Sequence, residues 1–128
     1  MDTSPEYIGM CDRAIEIRRM WKMSAGDFIV QGEKVHVVSS GRIMGRWFGG
    51  GKAVIWLPQQ DQLQEMVLSK ELHYRHRLYG LLQRFIDFTR SRLLPSDQRL
   101  WSCEQLWLMY VMDEKYSKRW NGEGWVKL

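Results

Sequence analysis

Gly49-Gly50-Gly51-Lys52 is the first stretch with the residue types for chemistry, because glycines followed by lysine can cradle a phosphate on backbone N–H groups. A nucleotide loop of that kind needs glycine, four residues, then Gly-Lys-Ser/Thr, with a strand before it and a helix after it. Counting back from Gly51-Lys52, Arg46 stands where the first glycine belongs, and Ala53 replaces the metal-binding hydroxyl. The following AVIWLP reads as a strand closed by proline. The dinucleotide pattern G-x-G-x-x-G fails for the same reason: no helix follows. The glycines therefore predict a flexible hairpin tip.

Two basic constellations point to partner binding instead. Arg42, Arg46 and Lys52 flank the tip, with Trp47 and Phe48 beside them. Base stacking combined with phosphate contact uses this mixture. The structural alternative turns Trp47 or Phe48 into the core and leaves the basic residues to keep an edge strand soluble. RWFGGGKAVIWL does not match the RNA-recognition pattern Lys/Arg-Gly-Phe-Gly/Ala-Phe-Val-x-Phe. In the second constellation His73, Arg77, Gly80, Arg84 and Asp87 line up along one helix at alternating spacings of four and three. Such a basic stripe suits nucleic acid or an acidic protein, and Gly80 leaves room for a close approach. The alternative is a solvated face on which Arg84 and Asp87 support each other at i,i+3. Arg42, Arg46, Trp47, Lys52, Arg77 and Arg84 are the candidate partner-binding residues.

Catalysis and metal binding find less. His73 and His76 supply two ligands where zinc needs three or four, and His36 stands alone in a strand. Asp61 and Glu65 share one helical face, as an acid–base pair would, but they equally suit a helix N-terminus. Cys103 lies just inside a helix N-terminus, where a thiolate is stabilised, yet no histidine is tied to it by a local pattern. No catalytic residue, metal or cofactor is assigned.

These residues must be positioned by a chain of 128 residues, enough for one domain, 1–128, with a core that needs neither disulfide nor metal. The net charge of +4 is spread along the chain, and seven tryptophans supply large apolar surface. Such a charge permits an acidic partner without requiring one. Cys11 and Cys103 have no metal-type spacing and fall beside apolar helical positions, which favours a reducing cytoplasm. MDTSPEYIGM has no basic region or long apolar run, so neither a signal peptide nor a membrane span is expected.

Ser4, Pro5 and Glu6 open a helix expected to reach about Trp21, with Tyr7, Met10, Cys11, Ala14, Ile17 and Trp21 on its apolar face. Arg18 falls within that face and must reach solvent or meet an acid. Strands are expected near 27–31, 34–39, 42–48 and 52–57, with turns at Gly32-Glu33, Ser40-Gly41 and Gly49–Gly51. A helix follows from about residue 60, with Asp61 and Gln64 as its capping box. The longest helix should bury Tyr74, Leu78, Leu81, Leu82, Phe85, Phe88 and Thr89 and end before Pro95. The helix near 103–118, capped by Ser102 with Gln105, is apolar all round and should be central. Asn121-Gly122 predicts a terminal hairpin between two tryptophan-bearing arms. The expected core includes Leu78, Leu81, Leu82, Phe85, Leu106, Trp107 and Tyr110.

Three stretches, MSAGDFIV, WLPQQDQLQEM and SCEQLWLMYVMDEKYSKRWNGEGWV, resemble a family of small proteins of unknown function carried in phages and prophages of Gram-positive bacteria. The resemblance covers most of the chain and implies a mobile element in a bacterial cytoplasm, with no catalytic residues to carry over. The resulting expectation is an α+β fold, a small antiparallel β-meander over about 27–57 packed against four helices, with a short C-terminal hairpin. Its function would be that of a non-enzymatic phage or prophage accessory protein that binds nucleic acid or a host or phage protein. The other class is a protein that binds, sequesters or acts on a nucleotide-like molecule. Homo-oligomerisation is compatible with either.

Overall fold

The computed structural model describes residues 1–39, 54–69, 74–93 and 100–128. Ser4 starts the first helix as its type requires: its backbone is extended and its Oγ accepts from the Tyr7 amide at 3.2 Å. With Pro5 in the first helical position, α1 runs Pro5–Arg13. The single helix expected to reach Trp21 is interrupted at Ala14, whose ψ of 69° leaves the helical region, and α2 resumes over Ile15–Met20. Arg18 offsets the break. Its guanidinium donates to the Asp12 carbonyl at 3.0 Å, the Asp12 carboxylate at 2.7 Å and the Val54 carbonyl at 3.2 Å. It thus meets an acid and satisfies an acceptor that a helix end leaves open. Tyr7, Met10, Cys11, Ala14 and Ile17 are all buried, so the apolar face survives the interruption.

Strands β1 (Phe28–Gln31) and β2 (Lys34–Val37) form an antiparallel hairpin. It turns at Gly32, whose φ of 64° suits a residue without a side chain. Strand β3 (Val54–Leu57) pairs with the opposite edge of β1, placing Phe28 against Leu57 and Gln31 against Val54. The described strands are ordered β2-β1-β3, so β1 is central. The expected meander would set β3 beside the strand at 42–48, whereas β3 pairs with β1. Ile29 and Val30 of β1 are buried whereas β2 is largely exposed, and β3 joins the strand that carries the core. The expected strand at 42–48 and the turns at Ser40-Gly41 and Gly49–Gly51 lie outside the described residues. Pro58 closes β3, and its carbonyl accepts from the buried Tyr7 hydroxyl at 2.6 Å, fixing the sheet to α1.

Helix α3 (Gln60–Val67) is capped by Gln59 and Gln62, two residues before the expected pair. The chain turns helical directly after Pro58-Gln59, which leaves Asp61 inside the first turn. Helix α4 (Tyr74–Ser91) is the longest, and α5 (Cys103–Tyr116) is the centre. Ser102 Oγ accepts from the Gln105 amide while Gln105 Oε1 accepts from the Ser102 amide, the expected reciprocal cap. Every residue from Trp107 to Asp113 is buried, and α1, α3 and α4 pack around α5. Ser117 leaves the helix in left-handed conformation and leads into the terminal hairpin, β4 (Lys118–Trp120) and β5 (Trp125–Lys127). Asn121 Oδ1 accepts from the amides of Glu123 and Gly124, and the Trp125 indole donates to the Met10 carbonyl at 3.0 Å. The hairpin is thereby held against α1.

The fold is α+β: among the described residues, five helices, a three-stranded antiparallel sheet and a two-stranded hairpin. The extra helix comes from the break at Ala14. Of the expected core, Leu81, Trp107 and Tyr110 are buried, and Phe85 and Leu106 are half-buried. Leu78 and Leu82 are exposed, which corrects the expected stripe on α4. The helix presents Leu81 and Phe88 to the body, with Phe85 stacked on Trp107 at 3.8 Å between ring centroids. That orientation turns Leu78 and Leu82 outward.

Candidate functional site

The outward face of α4 gathers exposed apolar residues, with exposed Arg90 one turn beyond them. Leu78, Leu82 and Ile86 recur every four residues and so lie along one side of the helix, with Tyr79 on their flank. They are 43, 41, 46 and 69 % exposed for Leu78, Leu82, Ile86 and Tyr79 respectively. Single exposed apolar residues are ordinary, but a contiguous stripe of large ones marks an interaction surface. The same helix carries Arg75, Arg77, Arg84 and Arg90 against one acid, Asp87. Its first turn has no acid and its last turn has Arg90.

The candidate residues from the sequence divide sharply. Arg42, Arg46, Trp47 and Lys52 lie outside the described residues, as does His73. Arg77 and Arg84 share the side of α4 that faces the body. Arg84 donates to the Gly80 carbonyl at 3.3 Å and the Val67 carbonyl at 3.5 Å, and lies 3.9 Å from the Glu114 carboxylate. It links α4 to α3 and α5, and its charge stays in the field of the helix. Arg77 is half-buried. A side chain added at Gly80 would meet nothing within 4 Å, so the gap expected there is open space.

The other candidates also fall apart from one another. His36 is half-buried in β2 and His76 is exposed on α4. Among the described residues, no three His, Cys, Asp or Glu side chains gather so as to hold a metal, and no helix is long and apolar enough to cross a membrane. Cys11 is buried beside Tyr7, and that burial pushes its thiol well above the ordinary range. Cys103 is exposed, contrary to the apolar position its neighbours suggested. As the first residue of α5 it projects from the cap rather than into the core. Asp61 and Glu65 do share a face, and both line a cleft beside Trp21 and Trp56.

The outward stripe was missed because Leu78 and Leu82 share a side with Phe85. The apolar face of α4 spans about half the helix, and sequence periodicity does not say which part is covered. A width beyond the roughly 100° of an ordinary surface helix was the available signal. No protein-family model, curated protein or solved structure matches the chain.

Proposed function

We propose that the chain is a non-enzymatic binding protein that docks an acidic, amphipathic segment of a protein partner on the outer face of α4. The exposed stripe of Leu78, Tyr79, Leu82 and Ile86 on an arginine-rich helix carries this reading. A helix laid against such a stripe buries its own i, i+4, i+8 residues, and an acid at its end meets Arg90, which lies one turn beyond Ile86. A phosphate backbone would use the charge but leave the leucines and isoleucine in water, which favours protein over nucleic acid. The setting, a phage or prophage acting in the bacterial cytoplasm, rests on the resemblance of the Trp-Leu-Pro and terminal segments.

Fluorescence anisotropy tests this with a labelled helical peptide bearing leucines at i, i+4 and i+8 flanked by glutamates, and the same peptide with lysines. The acidic peptide is expected to bind and to shift amide signals of residues 78–86. Leu82→Glu should weaken it by about tenfold or more, the loss typical of an interface anchor. Equal binding of the lysine peptide, or no binding of the acidic one, overturns the reading. Tight binding of duplex DNA or RNA that falls steeply with salt would put nucleic acid in its place.

A further inference from the structure

A second surface, away from the α4 face, has the makings of a ligand site. A cleft of about 460 Å³ opens between the segment after α2, strand β3 and helix α3. One wall is a pair of indoles, Trp21 and Trp56, with ring centroids 5.9 Å apart and planes within 8° of parallel. Asp27 holds this wall from behind. Its buried carboxylate accepts from the Trp21 indole at 2.8 Å, the Ser24 amide at 2.8 Å and the Gln62 side chain at 2.9 Å. Three donors on one carboxylate fix the indole before any ligand arrives, so little ordering cost remains at binding.

The opposite wall is α3, which places Asp61 and Glu65 one turn apart, both exposed. Neither has a hydrogen bond or ion pair among the described residues. The lining therefore holds three carboxylates, one already saturated, against a single lysine, Lys22. Trp56 is 6 % exposed, and its indole N–H finds no acceptor among the described residues. A buried donor without a partner is costly and uncommon. The cleft thus offers π faces and, among the described residues, two unpaired carboxylates and an unpaired donor.

We propose that this cleft binds a guanidinium group carried on a short apolar stem with a carbonyl near its base, the chemistry of arginine. A planar guanidinium stacks on indole and pairs with carboxylates through its fork of N–H donors. The carbonyl supplies an acceptor for the Trp56 indole N–H, which has none among the described residues. An ammonium is a compact, strongly hydrated charge that uses the flat wall less well. The source is either an arginine residue on another protein or free arginine.

The test is a titration of the full-length ¹⁵N-labelled chain with N-acetyl-arginine amide, free arginine and N-acetyl-citrulline amide, in which a neutral urea replaces the guanidinium. The Trp56 indole N–H signal should move with the arginine compounds, and the citrulline compound should bind about tenfold more weakly or worse. Response to the capped amide alone indicates a protein-borne arginine, and response to both indicates the free molecule. Asp61→Asn with Glu65→Gln, and Glu65→Gln alone, should abolish or weaken the response while leaving the rest of the spectrum intact. Equal binding of citrulline, an unchanged response in the double variant, or shifts confined to residues outside the cleft would overturn the proposal. None of the residues lining the cleft belongs to α4, so Leu82→Glu should leave the arginine titration unchanged.

Discussion

Helices α4 and α5 are both rich in large apolar residues, and the fold treats them in opposite ways. α5 has no polar side to turn outward over Trp107–Met112, and the chain wraps it with α1, α3 and α4. α4 commits Leu81 and Phe88 to that core and leaves Leu78, Tyr79, Leu82 and Ile86 in water. Burial of apolar area is the main driving force in folding, at about 25 cal/mol per Å², so uncovered leucines represent stabilisation this chain does not itself collect. A helix fully used by the fold contributes to stability, and one half-used is available to a partner.

The largest expected effect lies on α5. Leu108 is fully buried, and Leu108→Ala should destabilise by about 2–5 kcal/mol through lost transfer energy and a residual cavity. Urea unfolding monitored by tryptophan fluorescence measures this as a lower midpoint, and a change below about 1 kcal/mol would break the contrast at its strong end. Next is the start of the same helix. Ser102→Ala removes the cap from the Gln105 amide and should cost about 1 kcal/mol. Gly80→Ala tests α4 in the other direction. The added methyl meets no atom, so lower unfolded-state entropy and better helix propensity should stabilise by about 0.5–1 kcal/mol. A lower melting temperature would mean that the space beside Gly80 is not open.

A contact away from both helices gives a pH-dependent effect of similar or smaller size. Burial alone would raise the Glu16 carboxyl, but the hydrogen bond and charge of Lys118, with Arg19 nearby, outweigh it and hold it below the ordinary value. A carboxylate depressed in the folded state adds stability above its unfolded pKa, and that contribution fades as pH falls through the folded value. Lys118→Met should move the Glu16 titration upward and shrink the acid-side loss of stability. The change should stay below about 1 kcal/mol, because the pair is partly exposed. NMR titration of the Glu16 side chain would show the shift, and an unmoved titration would remove Lys118 as its cause. The smallest effect is expected on the α4 stripe. Leu82→Ala should alter stability by no more than about 0.5 kcal/mol. If it matches Leu108→Ala, or if the cost rises with protein concentration, the stripe is already covered in solution.

Much of this could be read directly from residue types. Ser4 with Pro5, Ser102 with Gln105, and Asn121-Gly122 each mark a local device, a cap or a turn, whose chemistry acts within a few residues. Those devices appear where the sequence places them. The burial of α5 was legible because a helix apolar on every side has no alternative to the interior. The break at Ala14 was not legible, since alanine favours helix and the interruption depends on Arg18 reaching Asp12 and Val54. The cap of α3 shifted to Gln59 because the exit from β3 at Pro58 decides where the helix can begin.

For the candidate sites the division is sharper. Asp61 and Glu65 were recognisable as a pair one turn apart, but nothing in the sequence places Trp21, Trp56 and Asp27 beside them. Those residues converge because Gln62 of α3 reaches Asp27 and Trp21 stacks on Trp56 of β3, and Asp27 selects which way the Trp21 indole faces. Likewise the sequence by itself determined that α4 has a broad apolar face and an excess of arginine, because composition and the 3.6-residue repeat are local properties. Which half of that face is buried was decided by the tertiary structure alone. The stacking of Phe85 on Trp107 and the link from Arg84 to Val67 and Glu114 set the rotation of α4. The periodicity of a helix fixes the angles between its side chains, but only contact with the rest of the molecule fixes where those angles point.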